Sequence, residues 1–208
     1  MHEKEFLRRL ADEAQDTVDF LSSARKCERE RRVCAAFLRC AGVPFSPSDL
    51  KCPERDPPDV LFNTAAFEVK LLLGGRKIHG EWKAIAARRN SARCIDDVLE
   101  PNVQPEPFSF VELVQAVTDE LNKQTYDPRT REALDALLYV NLKGRFLDVQ
   151  SPYTSTAAIA QMGWRAVSAL SPPYALVLTA SPSAPVFLQR RVATVRNCCS
   201  NPDEWFEL

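Results

Sequence analysis

The stretch Pro57-Pro58-Asp59-Val60-Leu61-Phe62-Asn63-Thr64-Ala65-Ala66-Phe67-Glu68-Val69-Lys70 decides the fold. Apolar runs of strand length flank Asn63-Thr64, a plausible tight turn, so the segment predicts a β-hairpin with strands near 59–62 and 65–72. If Asn63-Thr64 is the whole turn, residue 62 pairs with 65, 61 with 66, 60 with 67 and 59 with 68. Asp59 then stands directly opposite Glu68, and partners so placed have Cβ atoms about 4.5–5.5 Å apart on one face. Alternation puts Lys70 on the face of Glu68 and Val69 on the other.

Like charges in such a position repel unless something positive joins them. Mg²⁺ or Mn²⁺ would do so, because a hard cation takes oxygen ligands and often uses only one or two carboxylates; the carbonyl of Val69 is a further ligand in reach. An ion held there lowers the pKa of a bound water and polarises a phosphoryl oxygen. Lys70 would orient the water or stabilise the charge building on phosphorus. Asp59, Glu68 and Lys70 are therefore the candidate catalytic residues, and Asp59 and Glu68 the candidate metal ligands. The same spacing also arises by chance, and the competing reading makes the acidic hairpin structural. What weighs for chemistry is that these acids interrupt strongly apolar strands, where charge is costly.

Upstream, Phe6, Leu7, Leu10, Ala14, Val18 and Leu21 recur at helical spacing over 3–24, and a second helix covers 26–41 with Val33, Cys34, Phe37 and Leu38 on its stripe and Gly42 as its stop. Glu30 lies on that stripe, so it is a third candidate metal ligand; the alternative is a salt bridge to an arginine. Residues 43–58 are a proline-rich loop. Downstream, helix is expected over 80–93 and over 109–124, where Ser109 and Glu112 form a capping box. A strand at 134–142, a short helix at 154–161 and strands near 164–170 and 174–180 follow, while 184–196 is ambiguous. This order predicts an α/β fold with a mixed sheet. Arg76, Lys77 and Lys83 open a locally basic segment that offers nucleic-acid contacts, although a solvated helix face is the more common cause of such a run.

Composition narrows the partners. The chain has 208 residues and a formal net charge of -1, so any nucleic-acid surface must be local. Seven cysteines without framework spacing, and a start that is no signal peptide, predict mostly reduced thiols in a cytoplasmic protein. No apolar run approaches the roughly 20 residues of a membrane span. Spacing rules out a P-loop, no G-x-S-x-G elbow occurs, and no histidine near Cys34 or Cys40 in sequence supports a cysteine nucleophile.

Pro58-Asp59 followed by Glu68-Val69-Lys70 resembles the PD-(D/E)XK, or restriction-endonuclease-like, nuclease superfamily, over about 26 to 94 and more loosely the later strands. Phe37 to Val43, His79 to Lys83, Tyr139 to Leu142 and Gly163 to Arg165 further resemble a small bacterial family of uncharacterised proteins described as candidate endonucleases of that fold. The resemblance implies one restriction-endonuclease-like domain over 1–208: a helical extension at 1–25, a core at 26–180 with a mixed central sheet flanked by helices, and an extension at 181–208. It implies a Mg²⁺- or Mn²⁺-dependent endonuclease acting on DNA or a related nucleic acid, with Asp59 and Glu68 on the metal and Lys70 catalytic. It leaves a homodimer open. Because that superfamily contains inactive members, a non-catalytic nucleic-acid-binding or protein-interaction module is the alternative.

Overall fold

A computed structural model describes residues 3–74, 78–99, 104–142 and 144–198. In chain order its helices are α1 (Glu3–Phe20), α2 (Lys26–Cys40), α3 (Ile78–Ser91), α4 (Phe110–Asn122), α5 (Pro128–Ala133), α6 (Ala157–Ala160) and α7 (Val186–Gln189). The strands are β1 (Val60–Phe62), β2 (Ala65–Leu73), β3 (Glu106–Phe108), β4 (Asp135–Asn141), β5 (Arg145–Leu147), β6 (Ala166–Ser171), β7 (Tyr174–Ala180) and β8 (Val195–Asn197). The chain divides into two compact units, Met1–Arg29 with Gly75–Gln104, and Glu30–Gly74 with Pro105–Leu208.

The smaller unit is a helical pair. Leu7, Ala11, Ala14 and Val18 recur every third or fourth position of α1 and are buried. Ala14 and Val18 meet Ala86 of α3, with Trp82 and Ile85 packed alongside. Trp82 is thus a packing residue of this cluster. Lys83, one turn into α3, is exposed, whereas Arg76 and Lys77 lie outside the described residues.

The larger unit carries the sheet, in the order β1-β2-β4-β6-β7-β8. β2, β4 and β6 run parallel, while β1, β7 and β8 are antiparallel to their neighbours. The sheet is therefore mixed, as expected from the order of elements. Each face has its own core. On one, Val33, Cys34, Phe37 and Leu38 of α2 pack on Val60, Phe62, Phe67 and Val69, and the Phe37 and Phe67 rings meet edge-on at 6.0 Å. On the other, Phe110, Leu113, Val117 and Leu121 of α4 cover Ala136, Leu138, Val140, Val167 and Ala169. Buried strands covered on both faces read as unbroken apolar runs, which is why β4 and β6 show no alternation.

The hairpin turn is fastened to the centre of the sheet by a buried ion pair. Asp135, fully buried at the start of β4, accepts hydrogen bonds from Arg165 Nε and Nη2 and from the backbone N–H of Ala66 at 2.9 Å. Arg165 also donates to the carbonyl of Thr64 at 3.1 Å. One carboxylate and one guanidinium thus tie the β1–β2 turn to β4 and to the entry of β6.

The capping box of α4 forms as its spacing predicts. Ser109 Oγ accepts from the N–H of Glu112, and Glu112 Oε2 accepts from the N–H of Ser109 at 2.8 Å. That backbone bond first, then Arg145 at 2.7 Å, lowers the Glu112 carboxyl to about 2. A depressed folded-state pKa contributes stability that is present above the unfolded value, about 4.3 for Glu, and is lost as pH falls through about 2. Carboxyl NMR should find Glu112 titrating near 2, and Arg145→Ala should move its midpoint upward. A midpoint near 4 in the native protein would mean the box is open.

The Cys40 side chain at the end of α2 meets that of Cys198 beyond β8, with the Cα atoms 4.3 Å apart. Helix spacing alone could not show this, because 158 residues separate the partners. Cys34 and Cys94 are free thiols, the first buried and the second exposed. Among the described residues, no helix is long and apolar enough to cross a membrane.

Candidate active site

The observed register pairs Val60 with Phe67, Leu61 with Ala66 and Phe62 with Ala65. Asn63 takes a positive φ of 51°, which Asn tolerates better than most residues. The ladder closes with the N–H of Asp59 donating to the carbonyl of Phe67 at 2.9 Å. Pro58 and Pro57 have no N–H to extend it. The side chain of Asp59 takes over: its Oδ2 accepts from the N–H of Val69 at 2.8 Å. Asp59 is held against the backbone between Glu68 and Lys70, and it is only 4% exposed.

β2 alternates cleanly. Phe67 and Val69 enter the α2 core, while Ala66 and Leu72 join the α4 core. Glu68 and Lys70 share that second face and touch: Lys70 Nζ donates to Glu68 Oε1 at 2.6 Å. The hydroxyl of Tyr126, in the loop between α4 and α5, donates to the same oxygen at 2.6 Å. Lys70 Nζ also lies 5.8 Å from the centre of the Tyr126 ring, within cation–π range. Glu68 is 2% exposed, and its second oxygen, Oε2, is buried with no hydrogen-bond partner among the described residues.

Glu30 is placed differently. It is buried on α2, on the stripe of Val33, Cys34 and Phe37 that packs against Phe67 and Val69. Its charge, like that of Asp59, acts on the Cys34 thiol of the same helix. Burial first, then the negative charges of Asp59 and Glu30, push the Cys34 thiol well above its ordinary range, so it stays protonated and is no nucleophile. Among the described residues, no three or more His, Cys, Asp or Glu side chains are disposed together to hold a metal ion. The set near the Glu68 face is smaller: Glu68 itself, Asp59 at the strand edge and the intervening Val69 backbone. Oxygen donors of this kind suit Mg²⁺ or Mn²⁺, and one or two carboxylates suffice for Mg²⁺. Glu68 Oε2, without a hydrogen-bond partner among the described residues, is an oxygen donor of that kind.

Residues 2–200 match the family described as "Putative endonuclease, protein of unknown function (DUF1780)". The chain belongs to this family. Among solved structures it is similar to a protein of unknown function from Pseudomonas aeruginosa strain PAO1, described as of the monooxygenase superfamily. That relative is 32% identical, with a TM-score of 0.67, over 95% of this chain and 96% of the other. No curated protein matches the chain. Endonuclease is thus the family's own description, and the geometry around Glu68 can be weighed against it.

Sequence reasoning missed Tyr126. Glu68 and Tyr126 are 58 residues apart, and no local pattern joins them. It also missed α5, although Asp127-Pro128 is a readable start: Asp127 Oδ1 accepts from the N–H groups of Arg129 and Thr130, and Pro128 occupies the first helical position.

Proposed function

We propose that this protein is a divalent-cation-dependent endonuclease of restriction-endonuclease-like fold, hydrolysing phosphodiester bonds in DNA or a related nucleic acid. The observation that carries the reading is Glu68: a buried carboxylate with one oxygen clamped and the other without a hydrogen-bond partner among the described residues. Burying such a group is costly unless it is used. Glu68 Oε2 and Asp59 would hold Mg²⁺ or Mn²⁺. When bound, such an ion supplies a water of lowered pKa and polarises the phosphoryl oxygen.

The remaining chemistry belongs to the chain. Asp59 is held at the strand edge by the Val69 N–H. Lys70 neutralises Glu68 and presents its remaining ammonium hydrogens on the same face, where a phosphate could be met as charge builds. Glu30, buried on α2, is proposed as a further, weaker ligand. Lys83, with Arg76 and Lys77, is kept as a proposed phosphate contact that positions without reading sequence.

A supercoiled-plasmid nicking assay tests the proposal. Purified protein should nick with Mg²⁺ or Mn²⁺, stop with EDTA, and lose activity on Asp59→Asn. Intact plasmid under both cations, or undiminished nicking by Asp59→Asn, would remove the mechanism. Oxygen consumption with a reduced nicotinamide or flavin, and no nicking, would instead favour the class named for the Pseudomonas relative.

One observation favours a second reading. Lys70 and Tyr126 already neutralise and bond Glu68. A non-catalytic module of the same fold would look like this. Calorimetry showing DNA or protein binding with no Mn²⁺ uptake would establish it.

A further inference from the structure

Glu68 Oε1 receives donors from different elements, Lys70 Nζ on its own strand and the Tyr126 hydroxyl from the α4–α5 loop, each at 2.6 Å. Their capacities to fix a carboxylate differ. Lysine is a point charge on a flexible stem with rotatable donors, so it can neutralise Glu68 without setting the plane of its carboxylate. A phenol hydroxyl is carried on a rigid ring, and this ring is held. Its edge packs against Trp164, with centroids 5.8 Å apart and planes at 88°. Trp164 itself is buried. The loop is anchored by Arg131, which donates to the carbonyl of Gln124 at 2.9 Å and to that of Met162 at 3.3 Å.

We propose that Tyr126 is the positioning residue of this site: its hydroxyl pins Glu68 Oε1 so that Oε2, the buried oxygen without a partner among the described residues, is presented in one orientation for a divalent cation. The inference rests on the cation-dependent reading of the site and adds the residue that fixes its ligand. A hydrogen bond to the atom behind a metal-binding oxygen orients the ligand, and removing such a partner typically lowers metal affinity about 10–100-fold. The ring packs on Trp164 while the hydroxyl bonds Glu68, so hydroxyl and ring can be tested apart.

The probe is Mn²⁺ alone, followed by electron paramagnetic resonance on the full chain without nucleic acid. Wild type, Tyr126→Phe and Tyr126→Ala are compared, with thermal melting of each. Tyr126→Phe should melt close to wild type and bind Mn²⁺ about 10-fold or more weakly. Tyr126→Ala should lose both affinity and melting temperature, because the ring also leaves Trp164. If Tyr126→Phe binds Mn²⁺ like wild type, the positioning role is overturned while the cation site stands. If wild type takes up no Mn²⁺, the cation reading falls and this inference with it. Proton NMR supplies a readout without metal: a slowly exchanging tyrosine hydroxyl signal should be present in wild type and lost in both Tyr126→Phe and Glu68→Ala, which removes the acceptor. Its absence from wild type would overturn the inference whatever Mn²⁺ does.

Discussion

Lys70→Met should reduce cation-dependent nicking by about 10²–10³, the usual loss on removing one donor from a charge-stabilising site. It should also destabilise the protein, by about 3 kcal/mol, because breaking a buried pair strands the remaining charge. Side-chain exposures of 20% for Lys70 and 3% for Glu68 place the pair away from bulk water, so solvent offers little relief. Stability and activity can then be separated by a second change. Glu68→Gln combined with Lys70→Met removes both charges, keeps an acceptor for the Tyr126 hydroxyl, and should recover most of the lost stability with no nicking at all. Denaturant unfolding and the plasmid assay, run on the same preparations, check both halves. If Lys70→Met unfolds like wild type, Lys70 does not neutralise Glu68. If it nicks like wild type, Lys70 has no part in the chemistry.

How much of this was legible in the chain depends on how local the cause is. The hairpin register followed from Asn63-Thr64, and it does pair Val60 with Phe67. The capping box at Ser109 and Glu112 followed from spacing within one helical turn. That Glu68 and Lys70 share a face followed from the strand period of two. The rest depends on tertiary contact. The stripe on α2 showed that Glu30 is buried, but not which side chains of the sheet it meets. β3 and β5 are three residues each, pair in parallel across a long chain separation, and include Pro107, so neither pattern nor propensity marks them. The Cys40–Cys198 pair and the Tyr126–Glu68 bond join segments with no local signature.

Asp135 is the clearest case of a structural role hidden behind an ordinary acid, and Asp135→Ala should be the most destabilising single change in the larger unit. The carboxylate ties together Arg165, the Ala66 N–H and, through Arg165, the Thr64 carbonyl. Deleting it leaves a half-buried guanidinium without its counter-ion and the Ala66 N–H without its acceptor. The first costs about 3–5 kcal/mol and the second about 1–3 kcal/mol, and the losses overlap because they share one group. Against a total stability of about 5–15 kcal/mol, that approaches unfolding. Burial, the largest influence, raises the Asp135 carboxyl above its ordinary value, opposed by Arg165 and the Ala66 N–H. A raised folded-state pKa for an acid means that its contribution is fullest below the unfolded value, about 3.9, and is lost as pH rises through the folded value. Asp135→Asn, which keeps an acceptor for Ala66 and removes the charge that burial penalises, should therefore cost less than Asp135→Ala at neutral pH. Urea unfolding of both variants at pH 7 decides the matter. Equal losses would mean that the charge on Asp135, rather than its hydrogen-bond geometry, holds the hairpin to the sheet. That result would matter for the site as well, because the turn that Asp135 fastens sets the register that brings Asp59 to the strand edge beside Glu68.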